Sequence, residues 1–220
     1  MQLTVYNGSP RGRKSNTALL LKHFLEGFNR RETNSVTMKY LVDTDDIQEH
    51  VKAFKHSEYV ILAFPLYTDV MPGLVKKFIE ALEPVCGNAH IKGLGFIVQS
   101  GFPEPVHMRA VEAYLEKLTR RIGCPYLGTV VRGGVEGVRV MPERMNRKLF
   151  TLFYELGVIL DREEVFDPNI LKKLAPRETM APWRLGLFKM LQPLGVTNMY
   201  WNRQLKKNGV FDERFNRPFN

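Results

Sequence analysis

The sequence predicts a doubly wound α/β domain: a parallel sheet with helices on both faces. Three observations carry that prediction. Five short apolar runs, LTVY (3–6), SVTMKY (35–40), EYVILAF (58–64), GLGFIVQ (93–99) and LGTVV (127–131), alternate with amphipathic runs at about 16–29, 45–56, 73–84, 105–122 and 143–160. The third run is apolar without alternation, as a central strand buried on both faces requires. The strand–helix–strand order repeats through the first 160 residues, which makes the strands parallel.

Each element has a local reason. LTVY starts almost at the first residue, so a cleaved signal peptide is not expected. Leu20, Phe24 and Phe28 stand four apart and give the first helix one apolar face. Asp45 and Asp46 open the second helix, where carboxylates suit the helix dipole. Met71-Pro72-Gly73 opens the third, with proline near its first turn. Val111, Leu115 and Leu118 mark the buried face of the fourth. From about residue 161 the rhythm stops, and Pro168, Pro176, Pro182 and Pro193 interrupt the chain. Residues 161–220 therefore read as a C-terminal extension of the same domain, built of short helices and too broken to be a second domain.

Composition narrows the function classes. The 220 residues are 44% hydrophobic, enough for one sizeable core, and no stretch reaches the length of a membrane span. The two cysteines, Cys86 and Cys124, lie far apart and read as buried small hydrophobes, which fits a reducing cytoplasm. None of the five histidines is paired at a metal-ligand spacing, so no metal is expected. The net charge of +9 favours anionic partners: phosphorylated cofactors, nucleic acid or an acidic membrane. The cations are scattered and form no recognised nucleic-acid module, so nucleic acid is not expected.

The segment NGSPRGRKSNT (7–17) lies between the first strand and the first helix. In a doubly wound fold ligands collect beyond the carboxyl ends of the strands, and this turn is the first such place. A helix starting near Ser15 directs its free N–H groups into the turn. Ser9, Ser15, Asn16 and Thr17 add side-chain donors, Arg11 a charged fork, and Gly8 allows close approach or a positive φ. That inventory suits one phosphate; the plain alternative is a capped helix with surface cations, among which Arg13 and Lys14 are as readily solvated as bound. A Walker A loop is excluded because its second glycine would fall on Arg13. A dinucleotide fingerprint is excluded by the spacing of Gly8 and Gly12.

A second segment, FPLYTDVMPGLVKKFIE (64–80), leaves the third strand on the same sheet edge, and QSGFPEP (99–105) leaves the fourth. Leu66, Tyr67 and Thr68 offer a flat, partly apolar contact for a ring system, and Gly101 lets backbone amides approach a ligand edge. Together, G-S-P-R-x-x-x-S-N-T and P-L-Y-x-x-x-M-P-G-x-x-K-x-F-I-E resemble the flavodoxin-like NAD(P)H-dependent FMN reductases over residues 1–160. The resemblance implies a five-stranded sheet in the order 2-1-3-4-5. It also implies FMN as cofactor, NAD(P)H as co-substrate, a small-molecule electron acceptor and a homodimer. By that resemblance Ser9, Arg11, Ser15, Asn16 and Thr17 bind the FMN phosphate. Pro65, Leu66, Tyr67 and Thr68 line the isoalloxazine, with Gln99, Ser100, Gly101 and Phe102 at its other rim. Related iron–sulfur flavoproteins carry cysteines after the second strand; this chain runs from Tyr40 to Asp45-Asp46 without one, which excludes a cluster.

The implied activity is an oxidoreductase passing hydride from a nicotinamide to FMN and on to a quinone, flavin or nitro compound. No catalytic side chain is required. Amides around Ser100–Phe102 are expected to face charge on the pyrimidine side of the ring. The alternative is a non-enzymatic FMN-binding electron-transfer or sensor protein, although flavodoxins with that role are usually acidic and shorter. Residues 182–207 combine Trp183, Leu187, Met190, Leu191 and Leu194 with Arg184, Lys189, Arg203, Lys206 and Lys207, and Arg177 lies just upstream. That segment suits either packing against the domain or a second subunit, or a weak contact with an anionic membrane surface. Gly186 and Pro193 weaken a long helix and favour packing.

Overall fold

The computed structural model describes residues 1–43, 46–87, 90–175, 177–192, 195 and 198–216. The strands are β1 (Gln2–Asn7), β2 (Ser35–Tyr40), β3 (Tyr59–Pro65), β4 (Gly93–Gln99) and β5 (Tyr126–Arg132). They pair in parallel in the order β2-β1-β3-β4-β5, as expected. Every residue of β3 and β4 is buried, which explains why both read as unbroken apolar runs. The edge strand β2 alternates exposed and half-buried residues at its start.

Helices cover both faces. On one, α1 (Asn16–Phe28), α5 (Glu143–Glu163) and α6 (Pro168–Leu174) pack Phe24, Phe28, Phe153, Leu156 and Leu174 against Leu3, Val5 and Ile97. On the other, α2 (Ile47–Lys55), α3 (Gly73–Ala81) and α4 (Arg109–Ile122) pack Phe54, Phe78 and Leu115 against Tyr6, Leu62 and Phe96. Asp46 caps α2 by accepting from the Gln48 amide at 2.9 Å; Asp45 lies outside the described residues. The fourth helix starts later than its periodicity suggests, because Pro105–Met108 forms a 3-10 turn first.

The chain divides into two compact units, Met1–Glu178 and Thr179–Asn220. In the second, α7 (Pro182–Leu191) and α8 (Met199–Lys207) are the described helices. Pro168 and Pro182 each occupy the first turn of a helix, where a missing N–H costs nothing. Pro176, Pro193 and Leu194 lie outside the described residues. On α7, Trp183, Leu187 and Met190 are exposed and Leu191 is half-buried. Cys124 is buried, with its thiol pushed up to about 11 by desolvation, and Cys86 is half-buried.

One buried group makes stability depend on pH. His50 lies on α2 among Tyr6 and Phe78, its Nε2 buried without a hydrogen-bond partner among the described residues. Burial, with Lys39 adding to it and Glu49 and Asp43 opposing, holds its pKa below the ordinary 6.5. The unfolded chain therefore takes up a proton near pH 6.5, while the folded chain takes it up only at lower pH. Stability is complete above that pH and declines as pH falls, with a limiting slope of about 1.4 kcal/mol per unit. Urea titrations should show His50→Leu removing this slope between pH 7 and 5; a slope that persists assigns it to another group.

Candidate functional site

The turn after β1 is organised by Asn7, which is fully buried. Its Oδ1 accepts from the Ser9 amide at 2.9 Å, and its Nδ2 donates to Ser15 Oγ at 3.4 Å. Gly12 takes a φ of +51°, a conformation costly to any residue with a Cβ. Gly8 is needed for close approach and not for its φ: an added Cβ would collide with Val75 and come within 3.2 Å of Phe64 Cβ.

The predicted phosphate residues are brought together, but their side chains are used differently from expectation. Ser15 caps α1, its Oγ accepting from Ala18 N at 3.0 Å and donating to Gly12 O at 2.6 Å. The Asn16 carboxamide donates to Val135 O at 2.9 Å, and the Thr17 hydroxyl accepts from Gln99 Nε2 at 3.3 Å. These three side chains hold the protein together. What the helix offers outward is backbone: Asn16 and Thr17 are its first residues, and their amides have no acceptor among the described residues. Ser9 Oγ accepts from Arg11 N at 3.4 Å and keeps its proton to donate. Arg11 is exposed, with no carboxylate partner among the described residues. Arg13 turns aside, donating to both Asp43 oxygens at 2.7 Å and lying 4.3 Å over the Tyr40 ring. Its guanidinium holds the Asp43 carboxyl below the usual range.

Gln99 joins the three loops. Its backbone carbonyl accepts from Leu66 N at 2.7 Å while its side chain reaches Thr17. Pro65 and Leu66 are buried, so the exposed part of the second loop begins at Tyr67 and Thr68. This is a tight turn where a flat contact was expected. Tyr67 and Val70 exchange backbone hydrogen bonds of 2.8 and 3.1 Å, with Thr68 and Asp69 at φ +48° and +64°. A β-branched residue at positive φ is strained. Thr68→Gly should raise the unfolding free energy by about 0.5–1 kcal/mol, read from urea midpoints; a lower midpoint would show that Thr68 is held by something other than the turn.

At the fourth-strand exit the Ser100 amide donates to Arg132 O at 2.9 Å and the Phe102 amide to Ser100 Oγ at 3.0 Å. Both were expected to face a ligand. Only the Gly101 amide lacks an acceptor among the described residues. Phe102 is exposed and its ring packs 4.9 Å from that of His107. His107 in turn pairs with Asp69 of the neighbouring turn at 3.3 Å.

A fourth loop escapes the sequence reading. Residues 133–142 follow β5 and fold across the start of α1, where Val135 N donates to Ser100 O at 3.0 Å and Arg139 Nη2 to Ser15 O at 2.7 Å. Its sequence signal is three glycines, Gly133, Gly134 and Gly137, within five positions at the same end of the sheet.

A family model described as a flavodoxin-like fold matches residues 1–149. No match is found among curated proteins. Among solved structures, an NADPH-quinone reductase from P. pentosaceus is 18% identical, with 70% of this chain and 96% of that one covered and a TM-score of 0.55. An NAD(P)H:quinone oxidoreductase from Methanothermobacter marburgensis is 13% identical, covering 74% and 98%, at a TM-score of 0.58. An FMN-dependent NADH-azoreductase from Bacillus anthracis str. Ames Ancestor, solved in complex with FMN, is 13% identical, covering 74% and 100%, at 0.54. At these identities the likeness is one of fold.

Proposed function

Since the chain belongs to the flavodoxin-like fold family, we propose that it is an NAD(P)H-dependent FMN oxidoreductase. It would pass hydride from a nicotinamide to bound FMN and on to a small-molecule acceptor such as a quinone, flavin or nitro compound. The observation that carries this reading is the pairing of two unlike surfaces at the carboxyl end of one sheet. At the start of α1 there are amides and an Arg11 guanidinium without partners among the described residues, and the Ser9 hydroxyl, which fit a phosphate. On the next loops there are exposed aromatic rings, Tyr67 and Phe102, which fit a planar ring system. The quinone reductase and azoreductase names of the three structural neighbours agree with it.

FMN, when bound, supplies the hydride chemistry. The Asn16 and Thr17 amides, Ser9 and Arg11 hold its phosphate; Ser15 fixes the helix start from which those amides project. Tyr67, Thr68 and Phe102 border the ring, with Pro65, Leu66, Gln99 and Ser100 supporting them from behind. The Gly101 amide is the donor left to face the ring edge. No side chain is required to carry a proton. A homodimer, with the pair of sites near its interface, belongs to the same proposal.

The test is a visible spectrum of the FMN-loaded protein before and after NADPH under nitrogen. A flavin band that bleaches within seconds supports the reductase. A band that persists favours electron transfer or sensing, and a chain that cannot be loaded with FMN overturns the reading.

A further inference from the structure

We propose that the segment formed by α7 and α8 docks on an anionic lipid surface. On α7, Trp183 is 64% exposed and Met190 66%, and Leu185, Leu187 and Phe188 are exposed as well. At about 3.6 residues per turn, Trp183, Leu187 and Met190 fall on one side and Leu185 and Phe188 on the other. A short helix that presents apolar side chains on both sides to water gains by entering an apolar medium. On α8, Arg203, Lys206 and Lys207 share one side, and the exposed Trp201 lies on the opposite one. Beyond it, Arg214 lies 4.0 Å over the Phe211 ring and 4.7 Å from that of the exposed Phe215. Aromatic and aliphatic groups beside long cationic chains are the composition of an interfacial segment. With ten and nine residues the helices are too short to span a bilayer, and among the described residues no helix is long and apolar enough to do so.

Charge selects the occupant. Residues 179–220 carry seven Lys or Arg against only Asp212 and Glu213. A second copy docking by two-fold symmetry would set these like charges against one another. An anionic bilayer neutralises it and takes up the apolar side chains together. This inference does not depend on the flavin reading, since every residue assigned to that site lies in the first unit.

Both tryptophans of the chain, Trp183 and Trp201, belong to this segment, so intrinsic fluorescence reports on it directly. The full chain would be titrated with vesicles of phosphatidylcholine alone and with vesicles containing one-third phosphatidylglycerol. Expected are a blue shift and co-sedimentation with the anionic vesicles, roughly tenfold or more weaker with neutral ones and reversed by high salt. Lys206→Gln with Lys207→Gln, and separately Leu187→Ser with Met190→Ser, should each weaken binding roughly tenfold. All four side chains are on the surface, and circular dichroism would verify the fold. Equal binding to neutral vesicles, or none to either, overturns the proposal. So does self-association that Leu187→Ser with Met190→Ser abolishes while vesicles are ignored, which would make this face a contact between copies.

Discussion

Replacing Gly157 with alanine is expected to destabilise the chain by about 4 kcal/mol or more, and replacing it with leucine to prevent folding. Gly157 on α5 and Gly27 on α1 mark where these two helices cross. A Cβ at Gly157 would fall on the Phe24 carbonyl oxygen and 2.8 Å from the Phe28 nitrogen. One at Gly27 would fall on the Tyr154 carbonyl oxygen and 2.8 Å from its carbon. The atoms met are backbone, which cannot rotate away, so the helices must separate and uncover Phe24, Phe28, Phe153 and Leu156. Helix propensity alone predicts the opposite sign, since alanine is preferred to glycine in a helix by about 1 kcal/mol. Gly186 on α7 provides the control: nothing lies within 4 Å of its added Cβ, so Gly186→Ala should leave the melting temperature unchanged or slightly higher. Thermal melts of the three variants decide the matter. A Gly157→Ala protein that melts with the parent would show that the crossing is not a backbone contact.

Neither crossing glycine announces itself in the sequence. Gly157 interrupts a helical pattern that already holds without it, and its partner lies 130 residues away, so no local pattern links the two. The strands are different: β3 and β4 are buried on both faces, and that condition is written locally as an unbroken apolar run. The anion loop is also legible, because a strand end, turn residues and a helix cap are all near neighbours. What it hides is how its side chains are used. The Asn16 carboxamide donates to the Val135 carbonyl and the Arg139 guanidinium to the Ser15 backbone carbonyl, across separations of 119 and 124 residues. Sequence reasoning counts such groups as free donors when the fold has already engaged them. The loop at 133–142 was missed for the same reason: its glycines mark a turn, and only the sheet order brings that turn over α1. The exposure of α7 was also beyond reach, since apolar spacing shows that a face exists and not whether anything covers it.

Arg11→Gln is expected to weaken FMN binding about 10- to 100-fold, the value of one charge-assisted hydrogen bond to a phosphate, without changing the melting temperature or the affinity for riboflavin. The Asn16 and Thr17 amides remain in the variant, so binding weakens without disappearing. Arg13→Gln should leave the FMN affinity within a few-fold of the parent, although Arg13 is only two residues away and carries the same charge. The difference lies in what each guanidinium already holds. Arg13 is neutralised by a two-pronged pair with Asp43 and stacked on Tyr40, whereas Arg11 faces the solvent beside Ser9. Fluorescence titrations of the flavin-free protein with FMN and with riboflavin separate the cases, because only FMN carries the phosphate. Equal losses for both flavins would place the Arg11 effect on the ring or on the fold. A loss confined to Arg13→Gln would move the phosphate to the Tyr40 side of the loop, and with it the assignment of Asn16 and Thr17 as its anchors.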